Sequence, residues 1–104
     1  MIYFITDGTY IKIGYTKNSI QKRLKQLQTS NAKKLYILGW VNGDEKTEKQ
    51  LHKKFEQFRI RSNGEWFMPE EQLLTYINDN NLKENCYVDV MDGMVMSFLS
   101  IKST

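Results

Sequence analysis

The stretch Ile2-Tyr3-Phe4-Ile5-Thr6-Asp7-Gly8-Thr9-Tyr10-Ile11-Lys12-Ile13-Gly14-Tyr15 decides how the chain is read. Two runs rich in β-branched and aromatic residues flank an Asp-Gly dipeptide, the strongest short signal for a β-hairpin. A two-residue loop there sets an expected register: Thr6 opposite Thr9, Ile5 opposite Tyr10, Phe4 opposite Ile11, Tyr3 opposite Lys12 and Ile2 opposite Ile13. Alternation along the strands then sorts the side chains into two faces. Ile2, Phe4, Ile11, Ile13 and Tyr15 form a wholly apolar or aromatic face, the expected core side. Tyr3, Ile5, Tyr10, Lys12 and Gly14 form the other, which carries two phenols and an amine.

Working outward, Thr16-Lys17-Asn18-Ser19 is a turn offering N-cap residues, and Ile20, Leu24 and Leu27 recur at helical spacing up to about Thr29. Lys34 to Val41 reads as a third strand. Asn42-Gly43-Asp44 turns into a second helix expected over 45–59, striped by Leu51, Phe55 and Phe58. A loop, 61–66, leads to Pro69 at the first turn of a third helix carrying Leu73, Leu74 and Ile77. The tail, Tyr87 to Leu99 around Asp92-Gly93, reads as a second hairpin with both faces mostly apolar. The expected fold class is therefore α/β (α+β): a small antiparallel sheet opened by a hairpin, flanked by three helices. The expected division is a domain over 1–80 and a hairpin extension over 81–104. That extension must cover the domain, extend its sheet or meet another chain, so it is expected to complete the sheet or to form a homodimer contact through Val88, Val90, Met94, Met96 and Phe98.

Composition narrows the function classes. The chain has 104 residues, 40% hydrophobic and 26% charged, an ordinary globular balance. A single cysteine, Cys86, excludes an internal disulfide framework and multi-cysteine zinc sites. A single histidine, His52, excludes a His-pair metal site. No apolar run approaches the roughly 20 residues of a membrane span, and Met1 to Gly8 lacks the basic start of a signal peptide. The expectation is no membrane partner and a cytoplasmic location. The net charge of +3 hides an asymmetry: through Ser62 there are 13 Lys and Arg against 5 Asp and Glu, and from Asn63 onward 2 against 7. The first part carries the field a polyanion would meet.

Four groups of residues could do chemistry. Tyr3 and Lys12, opposed in the expected register, would place a cation beside a phenol and favour the phenolate, a better base. Arg23 lies at the edge of the first helix's apolar stripe, aimed at the sheet, while Lys22 and Lys25 point away. Its fork suits phosphate oxygens; a snorkelling rim arginine is the alternative. Glu48 falls within the stripe of the second helix with Leu51, Phe55 and Phe58. A carboxylate there needs a partner such as Lys12, Arg23 or a divalent cation. His52 follows at i+4, a candidate base or substrate contact. In Gly64-Glu65-Trp66-Phe67 the aromatics are expected core anchors, with Glu65 or Asn63 facing the same cleft.

The order Ile2-Tyr3, hairpin, Lys12-Ile13-Gly14, Arg23, then Glu48 with Leu51-His52, then Gly64-Glu65-Trp66-Phe67, resembles the GIY-YIG nuclease superfamily. It is most similar to the phage and viral branch in which KIG replaces YIG. The resemblance spans roughly Met1 to Ile77. It implies metal-dependent hydrolysis of DNA phosphodiesters, with one Mg²⁺ or Mn²⁺ ion held by Glu48. It also implies catalytic parts for Tyr3 (general base or water positioning), Lys12 in the place of the second tyrosine, Arg23 on the phosphate, and Glu48. His52 is counted with them. Tyr10, Lys17, Lys22, Lys25 and Asn63 are the expected nucleic-acid contacts, Asn63 standing about three residues later than the family's asparagine. Met1 stands where the GIY glycine would be. A viral origin would imply the host-cell cytoplasm, or the nucleus of a eukaryotic host. The other readings are a catalytically weak nucleic-acid-binding module of this fold, and a protein-interaction effector using the apolar tail hairpin.

Overall fold

The computed structural model describes residues 1–81. The elements run β1 (Ile2–Thr6), β2 (Ile11–Tyr15), α1 (Ile20–Thr29), β3 (Tyr36–Val41), α2 (Glu45–Lys54), a 3₁₀ turn (Glu56–Phe58), β4 (Trp66–Phe67) and α3 (Glu71–Asn80). The strands form one antiparallel sheet in the order β3-β1-β2-β4. The expected α+β class, with a small antiparallel sheet and three helices, is what the chain forms. The expected tail hairpin and its dimer contact lie outside the described residues.

The opening hairpin forms, but its register differs from the expected one by two residues. Tyr3 pairs with Gly14, Phe4 with Ile13, Ile5 with Lys12 and Thr6 with Ile11. The loop is therefore four residues long, and polar groups of the sequence itself explain why. Asp7 Oδ1 accepts from the backbone amides of Thr9 (2.9 Å) and Tyr10 (2.8 Å). The buried Thr6 hydroxyl donates to the Tyr10 carbonyl (2.7 Å) and accepts from Gly8 N–H (2.9 Å). Gly8 takes a φ of 93°, open to glycine at little cost. A shift of two preserves the faces, so the sorting of side chains holds while the pairing of Tyr3 with Lys12 does not.

Both faces are buried. Ile2, Phe4, Ile11 and Ile13 pack with Leu51 of α2, Phe55 just past its end, and Leu73, Leu74 and Ile77 of α3. On the other side Tyr3 and Ile5 pack with Ile20, Leu35 and Ile37, flanked by Leu24 and Leu27 of α1. β1 runs through the middle with no side chain of Ile2 to Thr6 reaching solvent. A bulge in β3 opposite Phe4 and Ile5 lets Leu38 serve the first core and Ile37 the second.

The ends of α1 and α2 follow their caps: Ser19 accepts from Lys22 N–H, and Asp44 with Thr47 forms a capping box. Three boundaries differ from expectation. α2 stops at Lys54, because Arg59 must be extended to bridge Phe67. Trp66 and Phe67, expected as loop anchors, form a short edge strand on β2. Pro69 precedes the N-cap Glu70 rather than occupying the first helical turn. The four-residue loop makes a prediction. Replacing Thr6 with Val leaves Gly8 N–H without its acceptor and the Tyr10 carbonyl with only the 3.4 Å contact from Asp7 N–H, and should cost about 1–3 kcal/mol, read as a lower midpoint in urea with an unchanged slope.

Candidate functional site

The site is built on one close approach. Gly14 lies directly across from Tyr3, and a Cβ added there would fall 2.2 Å from the phenol's Cζ and Oη. Only glycine leaves room for the Tyr3 ring to cross β2. Tyr3 is fully buried, 0% exposed. Burial pushes its pKa upward, and the Arg23 guanidinium, interacting with the hydroxyl, opposes that push. Glu65 and Glu48 are near enough to raise it further. The structure thus gathers Tyr3, Arg23, Glu48 and Glu65, from β1, α1, α2 and the loop before β4.

Glu48 stands half-buried in the first turn of α2. Its pKa is raised, first by desolvation and then by the neighbouring Glu65 carboxylate; His52 and the Tyr15 backbone amide pull the other way. Glu48 makes no ion pair among the described residues. Of the partners foreseen for it, Lys12 is committed elsewhere. Its Nζ lies 3.0 Å from Glu65 Oε1 and 5.5 Å from the centre of the Trp66 ring. Lys12 faces Ile5, so the expected cation beside the phenol is Arg23, and the Tyr3 pKa moves up rather than down.

His52 is 7% exposed and both its ring nitrogens are engaged. Nε2 donates to the Ile13 carbonyl at 2.8 Å, which leaves Nδ1 to accept from Arg59 Nη2 at 3.1 Å. The ring also leans on Phe67, with centroids 5.3 Å apart. Arg59, which sequence reading passed over, continues the chain by donating from Nε to the Gly64 carbonyl at 2.7 Å. The Glu65 carbonyl in turn accepts from Ile13 N–H at 2.9 Å. His52 and Arg59 together clasp the 59–66 segment to β2 and so place Glu65. Nothing in the spacing of Arg59, seven residues beyond His52 and past the helix end, marks it for this part.

The remaining expected contacts are dispersed. Lys17, Lys22 and Lys25 are exposed around α1, Asn63 is exposed in the loop before β4, and Tyr10 is exposed in the β1–β2 turn. Among the described residues no group of three or more His, Cys, Asp or Glu side chains gathers around one point. A cation held here would have Glu48 as its main protein ligand, a donor set that suits a hydrated hard ion such as Mg²⁺.

A small antiparallel sheet whose buried phenol interacts with a guanidinium and senses two carboxylates defines the class: an α+β domain with charged groups gathered beside its central strand. A family model described as the T5orf172 domain matches residues 1–81, and the chain belongs to that family, which is associated with phage nuclease-type domains. No curated protein and no solved structure matches the chain.

Two outcomes follow from this geometry. Gly14→Ala should displace the Tyr3 ring and lower the thermal midpoint by several degrees, with the near-ultraviolet dichroism of the buried tyrosine altered. Glu48→Gln should act through linkage. A carboxyl whose pKa is raised by folding costs stability above its folded pKa, and that cost vanishes below its unfolded value. The variant should therefore melt a few degrees above the parent at neutral pH. The gap should close as pH falls through the carboxylate range to below about 4.

Proposed function

We propose that the chain is a metal-dependent endonuclease of GIY-YIG type that hydrolyses DNA phosphodiester bonds. The observation that carries this reading is the Arg23 guanidinium interacting with the buried Tyr3 hydroxyl, with the half-buried Glu48, which makes no ion pair among the described residues, close enough to act on the same phenol. Phosphodiester hydrolysis needs positive charge on the phosphoryl oxygens as negative charge builds there, and an anchor for a hydrated divalent ion. Arg23 supplies the first through a planar fork matched to two phosphate oxygens. Glu48 supplies the second; a cation would offset the carboxylate charge that desolvation and Glu65 disfavour. When bound, such an ion polarises the phosphoryl oxygen and lowers the pKa of a bound water.

Tyr3 takes a positioning part in this reading. Its raised pKa keeps the phenol neutral, and its interaction with Arg23 steadies the guanidinium. Lys12, neutralised by Glu65, sets the position of that carboxylate and of Trp66. His52 fixes the loop that bears Glu65. The exposed Lys17, Lys22 and Lys25, with Tyr10 and Asn63, would contribute salt-dependent contacts to the strand. The burial of Tyr3 and the neutralised Lys12 favour a second reading, in which the domain binds nucleic acid without cutting it.

A supercoiled-plasmid assay separates the two. The hydrolytic reading predicts nicking that requires Mg²⁺ or Mn²⁺ and is lost in Glu48→Ala by a factor of at least about 100, while retardation of the DNA survives. Wild-type protein that retards DNA but never nicks it with either metal selects the binding module instead.

A further inference from the structure

A groove of about 440 Å³ opens beside the site, at the turn end of the β1–β2 hairpin. That volume is ample for a small planar ligand. Tyr10, Ile60 and Trp66 supply its apolar walls. Tyr10 and Ile60, 38% and 42% exposed, are two of the three large apolar side chains that the described residues leave open to solvent. Trp66 links the groove to the site, since the Lys12 ammonium sits over its ring while its strand partner is Lys12 itself. Polar groups are few and of both signs. Arg61, Asn31 and Asp7 line the groove, one Asp7 carboxylate oxygen already holding the turn amides.

This combination does not suit a free anion, because Asp7 shares the groove with Arg61. It suits a flat, partly apolar ring that presents hydrogen-bond donors and acceptors at its edge and carries a phosphate at one side. Aromatic walls offer the stacking platforms on which bases sit irrespective of sequence. A base within a continuous duplex has both faces covered by its neighbours, so only an unstacked base can enter.

We propose that this groove takes one unpaired nucleobase of a DNA strand, stacked between Tyr10 and Trp66 with Arg61 on the adjoining phosphate, so that the protein selects DNA with an extrahelical or single-stranded nucleotide next to the bond at Arg23 and Glu48. The proposal rests on the nucleic-acid reading above and adds the substrate class to it.

The test is fluorescence anisotropy of the full chain, at one fixed salt concentration and without divalent metal. It compares a labelled continuous duplex with the same duplex bearing a single-nucleotide bulge. The bulged duplex should bind about tenfold more tightly, the scale of one stacked base. Tyr10→Ala and Ile60→Ser, both at exposed positions and checked for an unchanged melting midpoint, should bring the ratio of the two affinities close to one. A wild-type ratio of one, a ratio unmoved in both variants, or binding to neither oligonucleotide overturns the assignment. The preference in a protein that never nicks DNA overturns hydrolysis and leaves the groove standing. Nicking of both duplexes with equal affinity overturns the groove alone.

Discussion

The Tyr3 ring crossing β2 above Gly14 is the contact on which the rest of the site depends. It exists because β1 is the central strand, buried on both faces, so that a tyrosine in it must find room within the sheet's own surface. The room is made by deleting a side chain opposite, and the 2.2 Å approach of a hypothetical Cβ measures how completely it is used. Once the ring lies there, its hydroxyl meets Arg23 from α1 and senses the carboxylates of Glu48 and Glu65. Groups from four segments of the chain thereby act on one phenol, although they are far apart in sequence. The resulting balance is electrostatic. Burial favours the neutral phenol and disfavours the Glu48 charge.

A second constraint fastens the other side of the cleft. The two-residue strand β4 and its preceding loop are too short to hold themselves in place by sheet pairing. The link from the Ile13 carbonyl through His52 and Arg59 to the Gly64 carbonyl supplies what the pairing lacks. It ties a buried imidazole to a guanidinium as neighbour-to-neighbour hydrogen bonds, and it leaves the ring without a free nitrogen for proton transfer. Glu65 and Trp66 inherit their positions from this link. Glu65 then neutralises Lys12, and Trp66 receives the Lys12 ammonium on its face while lining the groove behind.

Much of this was readable from residue types and spacing, and what was not has physical causes. Period-two alternation sorted the two faces of the hairpin correctly, because a register error of two leaves every side chain on its side. The register itself was missed: Asp7-Gly8 suggests a two-residue loop, whereas the Thr6 hydroxyl and the Asp7 carboxylate organise a four-residue one. That error carried Lys12 to the wrong neighbour and reversed the expected direction of the Tyr3 pKa. The partial burial of Arg23 at the edge of one apolar stripe and of Glu48 within another is legible in helical periodicity. The role of Arg59 is not, because it depends on Gly64 and His52 being brought together by the edge strand. Trp66 and Phe67 signal anchors but not a strand, two residues being too few for any periodic pattern.

We propose that a divalent cation binds at Glu48, beside Tyr3 and Arg23. Paramagnetic line broadening tests this most directly. With trace Mn²⁺ added to isotopically labelled protein, the account predicts selective loss of the amide signals of Tyr15, Gly14, Tyr3 and Glu48 and of the Arg23 side chain. Signals of Leu73, Leu74 and Ile77 in α3 should persist, and Glu48→Gln should abolish the effect. Broadening centred elsewhere, or unchanged in Glu48→Gln, would contradict it.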